Sequence, residues 1–186
     1  MIDKNSYILF FLLLLVSCKT DIKKADELSA SKEVNKEEGI NVDLTVLENG
    51  VKKYRIQAPK SIRSNGPEQN MEFPEGLKVF TYNQFGVEES RLTAEYGNMI
   101  ERNGQISNLS VRNNVHVVNK KQEEMNTEEL NWDQVNDRVW TDRFIKISTK
   151  DEIIYGEGFE ANQDFTSYEI KRITGTIKVQ EEGLVP

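Results

Sequence analysis

The chain repeats itself. Gly50, Val51, Arg55, Ile56 and Ala58 are matched by Gly86, Val87, Arg91, Leu92 and Ala94, each 36 positions further on. An apolar–basic–apolar triplet also recurs, as Leu77-Lys78-Val79, Val115-His116-Val117, Ile145-Lys146-Ile147 and Ile177-Lys178-Val179, at spacings of 38, 30 and 32 residues. A fainter third unit places one apolar residue two before another: Leu130 with Trp132, Phe159 with Ala161 and, less well, Tyr96 with Asn98. Self-similarity at this period marks a chain built from one supersecondary unit that cannot cover its own apolar face alone.

The pattern inside each unit is that of strands. From Ile40 onward apolar residues alternate with polar ones, and Gly, Asn and Asp separate the runs. Glu123 to Leu130 imitates a helix, but Trp132 and Asp133 resume the strand spacing. Successive strand side chains point to opposite faces. Leu77/Val79, Val115/Val117, Ile145/Ile147 and Ile177/Val179 are therefore expected inward, and Lys78, His116, Lys146 and Lys178 outward. The expected fold is all-β: stacked antiparallel β-hairpins forming a jelly roll or an open sandwich.

The N-terminal end reads differently. Tyr7 to Val16 is an unbroken apolar run, too short for the roughly 20 residues a membrane-spanning helix needs, and a polar tract follows it. That is the pattern of a signal-peptide core. The run closes in Leu15-Val16-Ser17-Cys18, which resembles the cleavage site of bacterial lipoprotein precursors. The resemblance implies that residues 1–17 are removed and that Cys18, the chain's one cysteine, is acylated and holds the protein to a membrane. Residues 18–39 are read as this lipidated cysteine and a flexible tether. The tether is rich in charge and lacks aromatics, so it buries too little surface to offset its ordering entropy. A coil of that length spans roughly 25 Å. A short helix through Ala25 to Val34 is the structured alternative. The folded domain is placed at residues 40–180, and residues 181–186 form a tail.

Composition narrows the function. There are 24 Lys and Arg against 31 Asp and Glu, a net charge of -7, and no basic stripe, so no nucleic-acid partner is expected. With one cysteine and one histidine, His116, neither a disulfide nor a zinc site is expected, and no cofactor or metal is assigned. His116 is the one histidine, and no serine has a plausible His and Asp arrangement around it, so no serine triad is expected. Asp133, Asp137, Asp142 and Asp164 are read as sitting near turns with Asn, Gly or Ser, as turn residues rather than catalytic carboxylates. No G-x-x-x-x-G-K-[ST] run is present, so any energy must come from a partner. No enzymatic activity is expected.

Several stretches carry a family likeness: Phe73 to Val79, Arg91 to Ala94, Met125 to Asp133, Thr141-Asp142 before Ile145 to Ile147, Ile154 to Ala161, Asp164-Phe165 and Tyr168 to Ile170. In their order and spacing they resemble the LptC family. The resemblance implies an open twisted β-jelly roll, like that of LptA. It implies a periplasmic component of the lipopolysaccharide export transporter, lipid-anchored here to the inner membrane. Such a component receives lipopolysaccharide beside the LptF and LptG subunits and the LptB ATPase, and passes it to an LptA-like bridge. Many members carry an N-terminal transmembrane helix; here Cys18 stands in its place, so no role of that helix carries over.

Moving an acyl chain through water costs about 0.8 kcal/mol per methylene, on the order of 10 kcal/mol for a twelve-carbon chain. An aliphatic groove removes that cost. The candidate lining is Ile56, Leu77, Val79, Leu92, Val115, Val117, Leu130, Trp132, Ile145, Ile147, Phe159 and Ile177. The same residues also suit a filled core. Unpaired strand edges at the two ends would serve docking, Ile173 to Val179 towards LptA and Val42 to Ala58 towards LptF or LptG. Two other readings stay open: a structural or glycan-binding surface lipoprotein using Trp132, Trp140 and exposed Tyr, and a tethered LptA-like bridge. Gly156 and Gly158 mark either a bulge or a close approach of lipid or partner backbone.

Overall fold

A computed structural model describes residues 36–64, 68–163, 165 and 167–179. Cys18, residues 1–17, the Ala25 to Val34 segment, Asp164 and residues 181–186 lie outside the described residues. The strands are β1 (Lys36–Glu48), β2 (Val51–Ser64), β3 (Gln69–Phe73), β4 (Leu77–Tyr82), β5 (Glu88–Ala94), β6 (Tyr96–Arg102), β7 (Gln105–Asn119), β8 (Glu124–Asp133), β9 (Arg138–Ser148), β10 (Glu152–Ala161) and β11 (Tyr168–Lys178). Every pairing between them is antiparallel. The structure is the expected all-β jelly roll.

Turn chemistry sets the hairpins. Asn49-Gly50 joins β1 to β2 and Asn103-Gly104 joins β6 to β7, and all four residues have positive φ. That is the two-residue turn whose twist matches the flanking strands, and Asn-Gly is the pair that adopts it at least cost.

Two long strands, β2 and β7, give the sheet its shape. Tyr54 to Gln57 of β2 pair with β4, whereas Ile62 to Ser64 pair with β3. In β7, Gln105 to Arg112 pair with β6, whereas His116 to Asn119 pair with β5. The pairings close a ring of β2, β4, β5, β7, β6 and β3, from which β8 to β11 continue. Register shifts between Arg112 and Val115, Thr127 and Asn131, and Glu157 and Phe159 fall in line across these strands. Bulges bend a strand, and along this line the sheet doubles over into two half-sheets with one core between them. The first half holds β4, β5 and Val115 to Val118; the second holds β3, β6 and Gln105 to Arg112.

The triplets behave as their alternation predicts in three of four cases. Leu77, Val79, Val115, Val117, Ile145 and Ile147 are all buried. Ile177 and Val179 are not: Ile177 is 55% exposed. Ile177 pairs with the outward Ile153, while the inward Ile154 pairs with Thr176. A one-residue difference in register moves every side chain to the other face. In β6 the inward residues are Gly97 and Met99, so Tyr96 and Asn98 face outward.

β1 starts at Lys36, inside the stretch read as tether. Lys36 to Gly39 pair with Ser61 to Ser64, and Lys60 Nζ reaches Glu38 Oε2 at 3.0 Å. An edge strand with little to bury needs no apolar alternation, so polarity alone did not reveal it. Among the described residues β1 pairs only with β2, and β11 only with β10, leaving two open edges.

Candidate functional site

The inner face of each half-sheet carries a transverse row of apolar side chains. In the first half, Leu44, Ile56, Val79, Leu92, Val117, Met125, Ile147 and Ile154 are successive cross-strand partners from β1 to β10. In the second, Met71, Met99, Leu109, Trp132, Val139 and Ala161 do the same from β3 to β10. Cross-strand partners on one face stand about 5 Å apart, so each row is a continuous apolar track.

Between the rows lies a narrow cleft of about 60 Å³, lined on one side by Ile56, Val79, Leu92 and Val117 and on the other by Leu109, Leu130, Trp132 and Val139. Tyr54 and Gln163 stand at its mouth, because both also line an outer polar recess with Lys53, Tyr82 and Asp137. A second cleft of similar size is lined by Val117, Met125, Ile147, Phe159, Phe165 and Tyr168. Val117 and Phe165 line both clefts. Phe165 stacks on Phe159 with centroids 6.4 Å apart.

Of the twelve candidate lining residues, six surround the first cleft: Ile56, Val79, Leu92, Val117, Leu130 and Trp132. Ile147 and Phe159 line the second. Leu77 lies away from both, beside an open recess with Val42, Ala58 and Thr93. Val115 and Ile145 are core residues at the fold line, 1% and 0% exposed. Ile177 is on the outer face. Alternation did not find Tyr54, Gln163 or Phe165. Phe165 sits in a loop at φ 55°, where no strand pattern operates.

The polar groups of the first cleft are nearly all paired. Tyr54 Oη donates to Gln163 Oε1 at 3.3 Å, and the hydroxyls of Thr81 and Ser90 bond each other at 2.8 Å. Trp132 Nε1 is buried with no acceptor among the described residues. Burial is the main cause that pushes the Tyr54 phenol up to about 12, with the charges of Glu48 and Asp137 adding to it.

The remaining polar candidates have structural partners. His116 is on the outer face, its Nε2 3.2 Å from Glu124 Oε2. Asp133 accepts from Asn136 in the β8–β9 turn, which holds its carboxyl below the usual range. Asp142, expected in a turn, lies within β9 and bonds Lys171 Nζ of β11 at 2.8 Å, across the intervening β10; this ion pair explains an outward carboxylate there. Trp140 lies under the Arg138 guanidinium, 4.7 Å from ring centroid to Cζ. Gly156 and Gly158 coincide with register shifts on the two sides of β10, so they are bulge residues. No group of three His, Cys, Asp or Glu among the described residues is placed to hold a metal.

Doubled antiparallel half-sheets, two open edges and an apolar interior define an open β-jelly roll of the LptA-like kind. Over residues 7–177 the chain matches the family described as lipopolysaccharide-assembly, LptC-related, and it belongs to that family. It is accordingly a component of lipopolysaccharide transport. No protein of curated function matches the chain.

Proposed function

We propose that this protein receives lipopolysaccharide at the inner membrane and passes it to an LptA-like bridge, tethered meanwhile by acylated Cys18. The observation that carries the reading is the apolar row from Leu44 on β1 to Ile154 on β10. It leads from beside one open edge to beside the other, so an acyl chain moving along it stays out of water. In this reading β1 meets LptF or LptG, which draw energy from LptB, and β11 extends into the sheet of the bridge by strand addition. The protein itself is a passive slide.

The rows must part for loading. An apolar cavity of about 150 Å³ holds benzene, whereas the first cleft is about 60 Å³. The line of bulges provides the place where the half-sheets can open.

The test is photo-crosslinking of lipopolysaccharide in isolated membranes, with the photoreactive residue at Leu92, Val117 or Ile147 and, as an outward control, at Ile177. Crosslinks at the inner positions that require ATP and the transporter are expected. Their absence in a folded, membrane-bound protein would sink the transport reading and favour a glycan-binding lipoprotein. Crosslinks at Ile177 alone would place the lipid on the outer face.

A further inference from the structure

We infer that the Trp132 indole N–H is a ligand-binding donor for the ester or amide carbonyl that joins an acyl chain to its headgroup. The inference rests on the proposed lipid-carrying groove and adds the part of the lipid that the groove reads.

Three observations lead to it. Trp132 faces the cleft, since its cross-strand partners Leu109 and Val139 are both buried inner-face residues. Its Nε1 is buried and has no acceptor among the described residues, although Tyr54 with Gln163, and Thr81 with Ser90, are paired in the same cleft. An unmade hydrogen bond at a buried donor is a standing cost that a Phe or Leu at this place would avoid. The site lies at the depth where chemistry changes: Tyr54, which packs on Trp132 at 5.0 Å between centroids, lines both the apolar cleft and the outer polar recess.

A pure hydrocarbon in the cleft would leave the N–H unsatisfied. An acyl chain placed with its methyl end inward brings its carbonyl oxygen to the boundary between cleft and recess, beside the indole. The donor then selects acyl chains over alkyl ones and fixes how deep the chain sits.

The experiment compares two probes on the full chain: dihexanoyl phosphatidylglycerol below its micelle concentration, and its dihexyl ether counterpart, which lacks the carbonyls. The parent protein should bind the ester probe about tenfold more tightly, the effect of one hydrogen bond to a buried donor. Trp132→Phe, which keeps the ring and removes the N–H, should abolish that preference by weakening the ester probe alone. In the parent protein labelled with nitrogen-15, the Trp132 indole resonance should shift with the ester probe and stay near its free position with the ether. That readout holds whether or not the variant folds. Equal affinities of the parent for both probes, or equal weakening of both by Trp132→Phe, overturns the donor role. Binding of neither probe overturns it too; the crosslinking test then decides separately whether the groove carries lipopolysaccharide.

Discussion

Tyr54 of β2 and Gln163, just beyond β10, bridge the two half-sheets at the cleft mouth, the phenol donating to the amide oxygen at 3.3 Å. Tyr54→Phe removes this latch and keeps the ring on Trp132. Stability should fall by no more than about 1 kcal/mol, the net value of one such bond, while association with an acyl probe should speed up in stopped-flow mixing. Titration gives a second check. The folded phenol is raised from 10 to about 12, so its contribution to stability is whole below pH 10 and is lost as pH rises through 12. Melting temperatures across that window should fall more steeply in the parent than in Tyr54→Phe.

A different link holds β1 to the sheet. Asp43 accepts from Arg55 Nε at 2.8 Å, from Arg55 Nη2 at 2.6 Å and from Gln57 Nε2 at 2.9 Å. The Arg55 side-chain bonds lead the causes that lower its carboxyl from 3.8 to about 2. A depressed acid stabilises the fold above its unfolded value and ceases to as pH falls through the folded one. Amide exchange across β1 should therefore rise between pH 4 and pH 2, beyond the intrinsic trend. In Asp43→Asn that extra rise should be absent.

These two links differ in how far the sequence displayed them. The repeat offset by 36 residues proves to be β2 and β5 lying on either side of β4. Arg55 and Arg91 both pair with Phe80, and Ile56 and Leu92 both pair with Val79. Such a pattern is local and periodic, so alternation exposes it. Register across a turn is not local. Whether Ile177 or Thr176 faces inward depends on how β11 meets β10, and a shift between Tyr155 and Gly156 intervenes. The cleft is likewise made by residues far apart in the chain, Tyr54, Trp132 and Gln163 among them, whose meeting no spacing encodes. Trp132 and Trp140 looked equivalent in sequence. Only the pairing of Trp132 with Val139 and of Asn131 with Trp140 puts them on opposite faces.

Burial and cleft lining separate residues that the alternation treated alike. Ile145 is fully buried at the fold line, so Ile145→Arg strands a charge in the core and should prevent folding. Val117 lines both clefts, and an arginine there can carry its head towards the mouth along its own stem. Val117→Arg should keep a cooperative thermal transition and lose acyl-probe binding. Unfolding of both variants would make Val117 plain core.

Gly156 sets how closely β11 packs on β10. A Cβ on it would stand 2.6 Å from Ile170 Cγ2 and 2.8 Å from the Arg172 carbonyl oxygen. The side-chain clash can relax; the one with β11 backbone cannot without moving the strand. Gly156→Ala should therefore destabilise the domain by about 1–3 kcal/mol, the range of a distinct steric or backbone defect. Its amide exchange should rise through Tyr168 to Lys178 and stay unchanged through β4 and β5. Because strand addition needs β11 in register, the same variant should lose capture of a partner jelly roll while acyl-probe binding in the first cleft persists. Simultaneous loss of both would mean that the edge and the cleft form one cooperative unit rather than a groove with a detachable end.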